Sequence, residues 1–113
     1  MVPAYVFVID ISTPKNEISF EKFREQVEPC LNYLVVLKGA FDSKPCTITY
    51  YPQDAQSETL DTELWSVRCV VMISIGKQRA QNLICLYEAI YNLILFELPL
   101  FDIKAQTDKF EFS

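Results

Sequence analysis

Residues 65–98 are apolar in a way that an ordinary half-buried element is not. The segment opens with a stretch that contains the unbroken run Cys69-Val70-Val71-Met72-Ile73, passes through Ser74-Ile75-Gly76-Lys77, and continues into a long apolar region. Between Leu83 and Glu97 only Glu88, Asn92 and Glu97 are clearly polar. The pattern predicts strand, tight turn, helix. Side chains alternate sides along a strand, so consecutive apolar positions leave it no wet face. The helix keeps only a narrow wet stripe, with the rest packed. One strand and one helix cannot cover each other this fully, and the pattern calls for a further surface.

The remainder of the chain supplies the partners. Residues 4–11 are rich in β-branched and aromatic side chains, again apolar on both faces, and predict a central strand. Residues 12–16 have the composition of a turn. Ser19 can cap a helix with Glu21 in its first turn, after which Phe20, Phe23, Val27, Leu31 and Leu34 recur at three- and four-residue spacing. Pro29 predicts a kink there, or a second short helix starting at it, and Gly39 is the expected end. After a loop at 40–45, the alternating residues 46–51, closed by Pro52, predict a second strand. Residues 53–63 show no periodicity. Beyond Pro99 a short strand over 100–105 is expected, with Phe110 and Phe112 closing a tail. The chain therefore reads as strand-helix-strand twice, an α/β (α+β) domain spanning residues 1–113. Two βαβ units with right-handed crossovers form a four-stranded sheet with both helices on one face. The other face is expected to be covered by copies of the chain, because apolar patches of that size are rarely left open on monomers.

Composition narrows the chemistry. A chain of 113 residues, half of them hydrophobic, has room for one core. The net charge of −5, without any run of Lys or Arg, offers no footprint for phosphate backbones, so neither nucleic acid nor an anionic membrane surface is an expected partner. No apolar run approaches the roughly 20 residues that cross a bilayer, and the opening apolar stretch lacks the features of a signal peptide. A soluble, cytoplasmic protein without membrane insertion is the expectation. Cys30, Cys46, Cys69 and Cys85 are widely spaced and form no metal-type pair; Cys30, Cys69 and Cys85 lie in apolar runs and are expected as core thiols. The chain has no histidine, which excludes His-dependent triads and removes the commonest zinc ligand. Two glycines are too few for a phosphate-cradling loop. No metal and no cofactor is expected.

Ser74-Ile75-Gly76-Lys77, followed by Ala80-Gln81-Asn82 and a long apolar helix, resembles the corresponding segment of the macrophage migration inhibitory factor and D-dopachrome tautomerase family. Pro3 leads into the first strand as the family's catalytic proline does, and Lys44-Pro45 precedes the second strand as the family's lysine does. The resemblance implies a homotrimer whose sheets line a central barrel with the helices outside. It implies a keto-enol tautomerase acting on a small aromatic keto acid such as phenylpyruvate, with Pro3 as base. Lys44 and the backbone N–H of Ile75 would form the anion site, and Phe101 would stand in the substrate-binding position of the last strand. Lys38 competes with Lys44 for the lysine role. A base works best with its pKa near the operating pH, and burial moves an amine that way. Here Val2 precedes Pro3, so as encoded the proline nitrogen is an amide without a basic lone pair. The resemblance therefore implies a cytokine-like, protein-binding role with weak or absent tautomerase activity, toward a cell-surface or intracellular protein partner. It also implies export by a non-classical route. A second likeness leads elsewhere: residues 83–96 resemble a helix of longin and small adaptor-subunit proteins, which implies an intracellular interaction domain without enzymatic activity.

Overall fold

The computed structural model describes residues 2–41, 46–51, 63–74 and 77–112, with side chains described over 5–39, 46–51, 63–73 and 82–107. In chain order the elements are β1 (Val2–Pro14), α1 (Phe20–Phe41), β2 (Thr47–Tyr51), β3 (Leu64–Ser74), α2 (Lys77–Glu97) and β4 (Asp102–Phe112). The strands form one sheet in the order β2-β3-β1-β4, and every neighbouring pair is antiparallel. This is an α+β fold with a four-stranded antiparallel sheet and two helices. Because β1 and β2 both oppose β3, they run parallel to each other with β3 between them. In the same way β3 and β4 run parallel on either side of β1. Each strand-helix-strand unit thus has the parallel sense its crossover requires, but its strands are never neighbours, the arrangement of a split βαβ fold.

One face of the sheet carries the core. Tyr5, Phe7, Ile9 and Ile11 of β1 and Val67, Cys69, Val71 and Ile73 of β3 are buried against Phe23, Val27, Leu31 and Leu34 of α1 and Leu83, Tyr87 and Ile94 of α2. The period of two in the strands meets the three- and four-residue period of the helices, so both helices lie on the same side. Phe7 and Tyr87 stack with ring centroids 4.0 Å apart, joining β1 to α2. At the opposite end Trp65 donates its Nε1–H to the Ile18 carbonyl at 2.9 Å and meets the Phe20 ring edge-on.

Several boundaries differ from the expectation. Ser19 does cap α1, its carbonyl accepting from Phe23 N–H at 2.9 Å and its hydroxyl from Lys22 N–H at 3.3 Å. Neither Pro29 nor Gly39 ends the helix, which runs on to Phe41. β1 extends to 13 residues, and β4 absorbs the expected tail in an 11-residue strand. A strand already paired along its length recruits flanking residues that local propensity leaves uncommitted.

The outward face of the sheet also differs. Residues alternating with the core positions are Val6, Val8, Asp10 and Ser12 on β1 and Leu64, Ser66, Arg68, Val70 and Met72 on β3. Four of these nine are polar. Asp10 and Arg68, directly opposite in the ladder, form a two-bond ion pair at 2.8 and 3.2 Å.

Candidate interaction surfaces

Pro3 lies in β1, in register with Glu111 of β4. Its nitrogen is acylated by Val2, itself in register with Phe112. Lys44 and Ile75 lie outside the described residues, as does the 40–45 loop beyond Phe41. Phe101 precedes β4, half-buried, with its ring 5.6 Å from that of Phe23. Asp102 is opposite Ser12, so Phe101 sits at the far end of β1 from Pro3, a separation of about 30 Å at the usual rise per residue. Within one chain the fold does not bring the two together. Lys38, the competing lysine, is on the inner side of α1 and only 2% exposed, which withholds it from a dissolved substrate.

Among the described residues, the interior contains polar groups but no activated nucleophile. Burial pushes the Cys69 thiol up to about 12. Cys46 is also raised, chiefly by burial, with the nearby Lys38 charge opposing. Cys30 lies 3.3 Å from a Glu97 carboxylate oxygen, and burial first, then that carboxylate, hold its thiol at about 12. Tyr33 donates to the other Glu97 oxygen at 3.1 Å. A thiol must ionise to attack or to bind a metal, and these are held in the neutral form. Among the described residues no group of three potential metal ligands gathers. Cys85 departs from the core expectation, being exposed on α2.

A groove of about 760 Å³ runs between α1 and the edge strand β2, lined by Arg24, Glu28, Asn32, Val35, Ile48 and Tyr50. Arg24 and Glu28 span one turn of helix at 2.6 Å, and the groove is broadly open to solvent. Two of its three charged side chains, Arg24 and Glu28, are paired with each other, and the third is Glu25.

The largest departure from ordinary surface chemistry is on α2. Its outward side presents Leu86 (45% exposed), Ala89, Leu93 (40%) and Phe96 (82%), and the turn that follows adds Leu100 (88%). Positions 86, 93 and 100 repeat at seven, and so do 89 and 96, which gathers them into one stripe along the helix. The sequence pattern identified this helix as apolar nearly all round but assigned all but the narrow polar stripe to the core. The seven-residue spacing is legible in the sequence, but it marks one side of the helix without saying that this side faces outward. Among the described residues, no helix is long and apolar enough to cross a membrane.

No family model and no curated protein matches the chain. Solved structures do. A de novo designed protein, Foldit4, is similar with a TM-score of 0.52 at 14% identity, covering 93% of this chain and 96% of that one. At3g17210 from Arabidopsis thaliana, in an ensemble refinement of its crystal structure, is similar with a TM-score of 0.47 at 18% identity, covering 96% and 95%. At such identities the likeness to the designed protein is one of fold, an α+β chain of the same layout.

Proposed function

We propose that this chain is a protein-binding module with little or no tautomerase activity. The observation that carries the reading is the uncharged outer stripe of α2, in which Leu86, Leu93 and Phe96 stand exposed on a regular helix. Contiguous apolar surface of this kind marks a site of contact with another protein. Both sequence resemblances include such a role, the one cytokine-like, the other adaptor-like. The weak-activity part rests on Pro3: its nitrogen is an amide within β1, and amide nitrogen is not a general base. The threefold assembly that the first resemblance implies drew its reason from the outward sheet face. That face carries the Asp10–Arg68 pair, whose desolvation opposes burial under an apolar partner, so it supports association less well than α2 does.

Phenylpyruvate tautomerisation, measured on the chain with its encoded N-terminus and on a chain trimmed to begin at Pro3, tests the reading. Rates at the buffer background are expected for the encoded chain. Robust turnover by the encoded chain that disappears in Pro3→Gly would show an enzyme and sink the proposal.

A further inference from the structure

We infer that the edge strand β2 docks β2 of a second copy, the two joined antiparallel about a twofold axis at Thr49 into one continuous sheet. This contact is separate from the outer stripe of α2, which it leaves free for a different protein.

The sheet has two edges, and they are built differently. β2 stands at one and β4 at the other. β2 is paired with β3 along Thr47–Tyr51, and among the described residues no strand lies against its other side. That side presents a row of main-chain N–H and C=O groups, a template for another strand. Edges that must stay single are commonly guarded by charge. β4 follows the rule, with Asp102 and Lys104 both exposed. β2 does not: Thr47-Ile48-Thr49-Tyr50-Tyr51 carries no charge and no proline, and consists entirely of β-branched and aromatic residues that favour strands. With a net charge of −5 per chain, two copies repel in general, and an uncharged edge is a place where they approach without like-charge contact.

Symmetry then fixes the register. A twofold axis perpendicular to the sheet runs the two β2 strands antiparallel and keeps both helix layers on one side. Directly opposed residues point to the same face, so the axis must pass where a residue faces its own copy. Centring on Thr49 is the one such register that pairs all five residues of β2: Thr49 meets itself, Ile48 meets Tyr50 twice and Thr47 meets Tyr51 twice. Each pair is uncharged, and four of the five join an aromatic to a β-branched side chain, a favourable cross-strand combination. Tyr50 is already held in place, with Phe20 and Phe23 edge-on to its ring and Arg24 over it, so pairing costs it little freedom. The added strand crosses the open side of the groove between α1 and β2, where Val35 and Ile48 are each 39% exposed. Their burial adds apolar contact to the main-chain hydrogen bonds.

A contact of five paired residues and a groove rim lies at the small end of specific interfaces, below about 1,200 Å², so dimerisation is expected in the micromolar range. Sedimentation velocity on the full chain from about 1 to about 100 μM tests it. Ile48→Lys, which sets a charge on the edge, is expected to weaken the dimer at least about tenfold, and Thr107→Lys on β4 to leave it unchanged. Bridging tests the register independently and leaves Ile48 in place. In a Cys85→Ser background, which removes the exposed thiol, Thr49→Cys is expected to be joined to its own copy by a short bifunctional thiol reagent. Tyr51→Cys is expected not to be, because Tyr51 lies opposite Thr47 and about 13 Å along the strand from its own copy. A monomer throughout overturns the pairing, as does a trimer. A dimer that survives Ile48→Lys overturns it too, and loss in Thr107→Lys or Phe96→Glu instead would place the contact on β4 or α2. Bridging at Tyr51→Cys without bridging at Thr49→Cys would overturn the register. None of these results bears on turnover, so the pairing and the module reading can fail separately.

Discussion

Cys30 and Cys69 are thiols almost entirely withdrawn from water, and each is held protonated up to about 12 where an ordinary thiol ionises near 9. For Cys69 burial acts first, with Cys46 adding to it; for Cys30 burial is followed by the Glu97 carboxylate. The consequence for stability has a definite sign. Between pH 9 and pH 12 the unfolded chain has released these protons and the native chain has not, so the unfolded state binds fewer protons and stability falls as pH rises. Each thiol contributes a slope of up to about 1.4 kcal/mol per pH unit in that window, and none below it. Urea midpoints taken at intervals from pH 8 to pH 11 are expected to be flat at first and then to decline, and a variant lacking Cys69 to decline less steeply. A profile flat to pH 11 would mean that neither thiol is sheltered as described.

At the scale of the elements, α1 shows how far local rules extend. Its cap at Ser19 and its buried stripe of Phe23, Val27, Leu31 and Leu34 were legible because both follow from spacing alone. Its length was not, because Pro29 and Gly39 argue locally for ending a helix that tertiary packing carries on to Phe41. Leu31 and Leu34 are buried beyond the proline, and covering them outweighs one missing hydrogen bond. Both residues therefore leave stability unrealised. A Cβ at Gly39 would meet nothing within 4 Å. Gly39→Ala is expected to stabilise the chain by about 0.5–1 kcal/mol, and Pro29→Ala by up to about 3 kcal/mol, read as upward shifts of the denaturant midpoint at unchanged slope. If Gly39→Ala destabilised instead, the helix would have to end before Phe41. The same reasoning explains why the site was less legible than the fold. The spacing of Leu86, Leu93 and Phe96 is in the sequence, but periodicity cannot say which of two apolar sides of a helix has a neighbour. Pro3 and Phe101 were grouped by resemblance, and only the register of β1 with β4 shows them at opposite ends of one strand.

For the molecule as a whole, the decisive question is how many of its surfaces behave as core. The consecutive apolar residues of β3 suggest a sheet buried on both sides, and adjacent positions of that strand now give a direct comparison. Val71 is 1% exposed beneath the helices, whereas Val70, its neighbour, faces outward and is partly exposed, with Arg68 two residues away bonded to Asp10 across the same face. Truncation in a packed interior removes transfer energy and leaves a cavity; truncation at an open face removes little and leaves none. Val71→Ala is therefore expected to cost about 2–3 kcal/mol and Val70→Ala less than about 1 kcal/mol, both measured by urea unfolding at low protein concentration. The concentration matters, because a partner seated on the sheet would make Val70 an interior residue only once assembled. Equal costs for the two variants, growing with protein concentration for Val70, would show that the sheet's outer face is where copies meet. Unequal costs that do not change with concentration leave that face to water.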